Sequence, residues 1–533
     1  MKVVITDPIA DAGVERLREA GHTVEAEFEA EGEELLDVVA DANALIVRSG
    51  TTVDASVFEA ADDLVVVGRA GIGVDNIDID AATEHGVIVA NAPDPNVRAT
   101  AEHTIGMLFA AARSIPQAHQ RLKAGEWAKG DYLGTEINDK TLGIVGLGRV
   151  GQQVAKKCDS LGMDLVAFDP YIPEERAEKL GVELVEDLDE CLRAGDFITI
   201  HTPLTPETEG LIGAEEFELL DGGYVVNCAR GGIIDEDALA DAVLQGNVDG
   251  AALDVYKTEP LPEDSPLLEV DEIVTTPHLG ASTESAQTDV ALLTADQVIA
   301  ALNQEPVTHA LNAPSVDEST FGQIQPYIDI AETAGRVATQ MLDGRISTVE
   351  VTYSGEIAEE DIELVTASAL KGIFEPLQWK VNAVNAEKVA NDRGVEVIES
   401  KTRQAEDFQS VVRVTVGNDD NEVHVDGTLF ADNEPRIVRI DDFRVDAIPY
   451  GRMLVVDNYD EPGAIGHVGT VLGEHEINIA GMFNGRETIG GEAMTVYNLD
   501  DQVPEEVIDE LESDERIIKV TQITLQERDE EEE

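Results

Sequence analysis

An apolar run, Leu142-Gly143-Ile144-Val145, passes directly into Gly146-Leu147-Gly148-Arg149-Val150-Gly151 and then into a helical pattern from Gln152 to Cys158. A strand, a glycine turn and a helix in that order belong to a parallel α/β sheet, and this feature constrains the fold more than any other. The first glycine permits the tight turn, the second lets backbone approach a pyrophosphate, and the third lets the helix close on the strand. Unpaired N–H groups at the start of the helix then face the phosphates. A glycine-rich turn alone carries no such meaning; the flanking strand and helix supply it. After the next apolar strand comes Asp169, 18 residues beyond Gly151, placed to accept both ribose hydroxyls. A carboxylate there repels a 2′-phosphate, so NAD is expected rather than NADP.

The same rhythm runs through the first half of the chain. Short β-branched runs at Val3 to Thr6, Ala44 to Val47, Leu64 to Val67 and Val87 to Val89 alternate with helical stretches, which predicts one doubly wound sheet. A long helix from Ala99 to about Ala124 leads into a second series, with strands at Asp164 to Phe168, Phe197 to Ile200, Tyr224 to Asn227 and Glu272 to Thr275. A helix over Ser285 to Leu302 carries the chain back to the first unit. Beyond Pro306 the pattern becomes α+β, and from Met453 it reads βαββαβ, a ferredoxin-like module. The expected division is 1–97 with 285–305, then 98–284, 306–450, 451–527 and an acidic tail at 528–533.

Charge narrows the partners. Lys+Arg 36 against Asp+Glu 109 leaves −73, which repels nucleic acid and anionic lipid. Such a balance fits either a dedicated binder of cations or basic proteins, or a chain adapted to concentrated salt. The acids are scattered rather than blocked, and only 13 of the 36 basic residues are lysine, which favours the halophilic reading. Cys158, Cys191 and Cys228 are too few and too irregular for a disulfide framework or a zinc site, and an odd count suits a reducing compartment. With neither a signal-like start nor a run of eighteen apolar residues, a cytoplasmic location is expected, and no metal.

Three further strand ends carry chemistry: Asn227-Cys228-Ala229-Arg230-Gly231-Gly232, Asp254 to Pro260, and Thr276-Pro277-His278-Leu279-Gly280. Removing hydride from a secondary alcohol needs a base for the hydroxyl proton. A histidine beside a carboxylate suits that task, and an arginine can grip a substrate carboxylate and polarise the nascent carbonyl. Taken singly, His278, Glu259 and Arg230 read equally as structural or surface residues.

The run GLGRVG, Asp169, NCARGG, ALDVYKTEP and TPHLG, in that order, resembles the D-isomer-specific 2-hydroxyacid dehydrogenases over roughly residues 1–305. VRSGTTV, GRAGIGVDNID and GTLFADNEPRIVRIDDFRVDA are similar to the long, phosphoglycerate-oxidising branch of that family. The resemblance implies two Rossmann-like doubly wound domains, an intervening α+β domain and a C-terminal ACT domain. It also implies NAD-linked oxidation of 3-phosphoglycerate to 3-phosphohydroxypyruvate, the entry to serine biosynthesis, in a homo-oligomer, a tetramer by resemblance.

By motif position, His278 is then the acid/base, Glu259 its partner and Arg230 the carboxylate clamp. Arg149 and Val150 lie over the pyrophosphate, Thr202, Pro203 and Cys228 along the cofactor, and Asp254 with Gly280 near the nicotinamide. Arg48, Ser49, Arg69, Gly71 and Lys129 are the substrate-side candidates, although Gly50 stands where some members have a second arginine. Asp460 and Asn478 match the positions that hold an amino acid in ACT domains, with L-serine the candidate effector; Asn458 stands where some serine-inhibited relatives have histidine. Two alternatives remain: a glyoxylate or hydroxypyruvate reductase, which differs only in the anion pocket, and an amino-acid sensor on an inactive dehydrogenase scaffold.

Overall fold

The first series folds as a parallel sheet of β1 (Lys2–Ile5), β2 (Thr23–Ala26), β3 (Ala44–Val47), β4 (Val66–Arg69) and β5 (Ile88–Asn91), ordered β2-β1-β3-β4-β5. The second forms a seven-stranded parallel sheet of β6 (Thr141–Val145), β7 (Asp164–Phe168), β8 (Glu183–Leu184), β9 (Phe197–Ile200), β10 (Tyr224–Asn227), β11 (Gly250–Leu253) and β12 (Ile273–Thr275). Its order is β12-β11-β10-β9-β6-β7-β8, so the chain leaves β6 in one direction and returns in the other at β9. That reversal opens a crevice at the carboxyl ends of the strands. Central strands such as β3 and β11 are buried along their whole length, which explains their unbroken apolar composition. This computed structural model describes residues 1–525 except 29, 317, 379, 405 and 406; the tail at 528–533 lies outside the described residues.

The returning helix spans Glu284–Leu302 and packs on the first lobe through two glycines. A Cβ on Gly13 would sit 2.7 Å from the Ala291 carbonyl oxygen, and one on Gly68 would sit 2.8 Å from Thr294. The single helix expected over Ala99 to Ala124 is instead two, Asp94–Ala112 and Ile115–Lys123. Pro116 has no N–H to give the carbonyl four residues back, and Ser114 turns into left-handed backbone at φ 46°. The freed Ala112 carbonyl accepts Thr135 N–H at 2.9 Å.

The third sheet runs β14-β13-β15-β16-β17-β18, from β13 (Thr348–Gly355), β14 (Glu396–Thr402), β15 (Ser410–Gly417), β16 (Glu422–Leu429), β17 (Pro435–Ile440) and β18 (Phe443–Ala447). It is antiparallel except where β14 joins β13 in parallel. The fourth sheet, β20-β21-β19-β22, comprises β19 (Arg452–Tyr459), β20 (Ile479–Arg486), β21 (Glu492–Leu499) and β22 (Ile517–Thr524), with the ferredoxin-like order the sequence predicts. One face of it, with Val455, Met494, Val496 and Ile523, shares a core with the third sheet. A helix over Glu318–Met341, which the sequence reading passes over, lies in the same body. Lys380–Asp62 at 2.7 Å and Asn382 Nδ2 donating to the Gly86 carbonyl at 2.7 Å join the two halves. Among the described residues no helix is long and apolar enough to cross a membrane.

Candidate active site

Because β12, β11, β10 and β9 are neighbours, the loops leaving them converge. His278 Nδ1 lies 2.8 Å from Glu259 Oε2, and Tyr256 N–H donates to Glu259 Oε1 at 3.1 Å. Burial pushes the Glu259 carboxyl up, but the bond and charge of His278 outweigh it and hold it below the ordinary carboxylate value. With Nδ1 engaged, Nε2 is the nitrogen available to a substrate. Tyr256 Oη donates to the Leu253 and Thr276 carbonyls at 3.0 and 2.8 Å and so ties the two loops together. Asp254 is fully buried, and its carboxylate accepts Leu279 N–H at 2.8 Å and Gly280 N–H at 2.7 Å.

Arg230 sits on a loop folded by Asn227, whose side chain donates to the Arg230 carbonyl at 2.8 Å and accepts Ala229 N–H at 2.9 Å. Gly231 is obligatory, since any side chain there would overlap the Tyr256 carbonyl. From this loop Arg230 reaches the first lobe: its guanidinium lies over Gly73, and Nε is 3.2 Å from Asp75 Oδ2. Arg69, at the end of β4, lies against Gly71 and donates from Nη1 to the Ala70 carbonyl at 3.0 Å. Burial, then repulsion from Arg230 and Arg48, pushes its guanidinium down to about 10. Its Nε is buried without a partner. Three guanidinium groups from two lobes therefore converge.

Arg48 is held by its backbone, N–H donating to Asp7 Oδ2 at 2.6 Å, and borders a crevice with Pro8, Ala70, Asn96 and Gln287. Asp7 also lies against Gly50, so a larger residue there requires its carboxylate to shift. Ser49 is exposed beside it, and Lys129 is exposed in the turn after Ile115–Lys123, not among the groups that crowd Arg69.

The glycine cradle fits a dinucleotide. Gly146 has φ 93°, and a Cβ there would stand 2.8 Å from the His201 carbonyl oxygen; one on Gly151 would collide with the Gly146 carbonyl. At Gly148, beside Arg149 and the half-buried Val150, an added Cβ meets open space. Asp169 accepts Leu147 N–H at 2.8 Å and so stands over the turn. Thr202 Oγ1, next to Pro203, is buried without a partner, as a hydrogen-bonding group awaiting a ligand would be. Cys228 is buried, which pushes its thiol up to about 12 and keeps it neutral.

The presumed effector pair is not brought together. Asp460 accepts Arg486 Nη1 at 2.8 Å and Gly490 N–H at 3.1 Å, whereas Asn478 donates to Asp500 at 2.6 Å. Tyr459 pairs with Glu492 and Ile479 with Leu499, so the two sites lie at opposite ends of β21, roughly 20 Å apart at about 3.3 Å per strand residue. Asn458 is buried in the sheet, accepting Thr495 Oγ1 at 3.0 Å. Asp7, Gly73, Asp75 and His103 shape the site and were not singled out from sequence. Asp7 follows a first strand, and Gly73 and Asp75 lie within GRAGIGVDNID, so these three have a local signal; His103 has none.

The model for the NAD-binding domain of D-isomer-specific 2-hydroxyacid dehydrogenases matches residues 105–280, which agrees with the cradle and fixes NAD as the cofactor class. A glyoxylate reductase structure from Paecilomyes thermophila, 30% identical with a TM-score of 0.53, covers 58% of this chain and 98% of its own. That is the class of the first half. The D-3-phosphoglycerate dehydrogenase intervening-domain model matches residues 323–441 and the ACT model residues 452–516. D-3-phosphoglycerate dehydrogenases of Methanocaldococcus jannaschii and Archaeoglobus fulgidus are each 44% identical over 98% of this chain and 100% of theirs. The chain belongs to the D-3-phosphoglycerate dehydrogenase family.

Proposed function

We propose that this chain oxidises 3-phosphoglycerate to 3-phosphohydroxypyruvate with NAD, the first step of serine biosynthesis. Bound NAD supplies the acceptor for the C2 hydride. His278 Nε2 takes the hydroxyl proton, and Glu259 at Nδ1 stabilises the imidazolium that forms and fixes its orientation. Arg230 holds the substrate carboxylate bidentately, while Arg69 and Arg48 offer charge to the phosphate. The observation that carries this reading is the crowding of Arg69 by Arg48 and Arg230, with the Arg230 loop packed on Tyr256 next to the bonded His278–Glu259 pair. In a chain of net charge −73, three crowded guanidinium groups are explained by a multiply anionic substrate.

The same reading takes the protein as a cytoplasmic, salt-adapted homotetramer with an amino-acid effector, L-serine the candidate. The separation of Asp460 from Asn478 supports an effector site completed by two copies of the chain. An NAD-linked assay in molar KCl is the test. 3-Phosphoglycerate should exceed unphosphorylated 2-hydroxyacids in kcat/KM, and His278→Ala should lose about 100-fold or more. A preference for glycerate or glycolate rejects the substrate; full activity of His278→Ala rejects the base.

A further inference from the structure

We propose that His103 is a positioning residue: it sets Asp254, and through Asp254 the backbone on which His278 stands. The proposal rests on the reading of His278 as the base.

His103 lies on Asp94–Ala112, the helix that enters the second lobe, and it is far in sequence from every strand-end motif. Its Nε2 is 3.1 Å from Asp254 Oδ1 and 3.3 Å from Thr276 Oγ1. Asp254 is fully buried at the end of β11. Thr276 Oγ1 donates to Oδ1 at 2.5 Å, Leu279 N–H to Oδ1 at 2.8 Å, Gly280 N–H to Oδ2 at 2.7 Å, and His278 N–H to the Asp254 main-chain carbonyl at 2.9 Å. Residues 276, 278, 279 and 280 thus all end on one aspartate.

The loop needs such an anchor. His278 has φ 53°, a left-handed conformation that costs a non-glycine residue stability unless its surroundings enforce it. A buried carboxylate is in turn a poor anchor unless its charge is satisfied. Burial pushes the Asp254 carboxyl up, and the bonds from His103, Thr276 and Leu279 overcome this and hold it below its ordinary value. His103 is the donor in this set that comes from another element, since Thr276, Leu279 and Gly280 all belong to the loop itself. Releasing it leaves Oδ1 held only by the loop that Asp254 is meant to fix, so that the carboxylate and the 278–280 peptides bonded to it can shift together. Displacement of a base by a fraction of an ångström reduces turnover more than binding.

The experiment compares the full-length wild type with His103→Ala and His103→Gln in molar KCl, measuring kcat, both KM values, the NAD dissociation constant by fluorescence and the unfolding midpoint. His103→Ala should lower kcat about 10–100-fold with KM and NAD affinity within about 3-fold. His103→Gln, whose amide nitrogen reaches the place of Nε2, should recover to within about 5-fold of wild type. If the alanine variant does not fold, His103→Asn replaces it: one methylene shorter, it cannot reach Asp254 and should lose kcat where Gln keeps it. A kcat of His103→Ala within about 2-fold of wild type, equal rates in Gln and its comparator, or NAD affinity falling in step with kcat would overturn the proposal. Wild-type turnover of 3-phosphoglycerate judges the function separately, since variant ratios can be taken on any 2-hydroxyacid that the wild type oxidises.

Discussion

Arg69 meets two opposed demands. Its Nε is buried without a partner, and its guanidinium is crowded by Arg230 and Arg48, so the free protein carries an unfavourable charge cluster. A bound phosphate would relieve that repulsion. Arg69→Met should therefore raise the unfolding midpoint of the free protein by a few degrees, because an apolar chain of similar length fills the site without the charge. The same change should raise KM for 3-phosphoglycerate about 10–100-fold, the range for losing a charge-assisted hydrogen bond. A lower midpoint, or an unchanged KM, would show that Arg69 is structural. Arg69 itself is legible in the sequence as a base at a strand end. Its environment is not: Asp75 meets Arg230 across 155 positions and Asp7 meets Arg48 across 41, and no local pattern encodes such contacts.

At the scale of elements, the dinucleotide helix meets Asp94–Ala112 through a shared apolar core and two ion pairs, Lys157–Glu102 at 3.0 Å and one at its first turn. Arg149, the first residue of Arg149–Ser160, places Nη1 2.8 Å from Asp94 Oδ1, and His309 Nε2 approaches the other oxygen at 3.6 Å. Pyrophosphate and Asp94 then compete for one guanidinium. Both side chains are exposed, so the pair contributes no more than about 1 kcal/mol. Asp94→Ala should tighten NAD about 2–5-fold in dilute buffer, less in molar KCl, as calorimetric titration can show; weaker binding would mean that Asp94 orients Arg149 instead.

A second join, between the third and fourth sheets, is titratable. Burial pushes Asp457 of β19 up to about 6, Lys519 opposes this, and Asp441 and Glu492 add to it. The raised carboxyl favours the folded state below the ordinary 3.8 and loses that advantage as pH climbs through 6. Asp457→Asn should accordingly stabilise the protein by about 1–3 kcal/mol at pH 7.5 and not at pH 4, in matched thermal unfolding. Strands with an unbroken or nearly unbroken apolar run, such as β3 and β10, are plain in the sequence. By contrast β14 is a mostly exposed edge strand with no alternation to detect, and Pro326 disguises the helix Glu318–Met341.

Over the whole molecule, 73 net negative charges share 26728 Å² of surface, about 366 Å² each and roughly 19 Å apart. The screening length is about 30 Å at 0.01 M salt, about 10 Å at 0.1 M and about 3 Å at 1 M. In dilute buffer an anionic substrate meets a coherent repulsive field well before it reaches the cleft; in molar salt it meets none until it is among Arg48, Arg69 and Arg230. Salt also weakens those contacts, but charges a few ångströms apart in a partly desolvated crevice are screened far less than charges 19 Å apart. The long-range term therefore disappears first. KM for 3-phosphoglycerate should fall as KCl rises from about 0.01 M to about 1 M, opposite to the usual salt inhibition of anion binding, with circular dichroism at both concentrations confirming the same folded state. A KM that climbs steadily over that interval would mean that the local cations dominate at every distance, and that the acidic surface has no bearing on how substrate arrives.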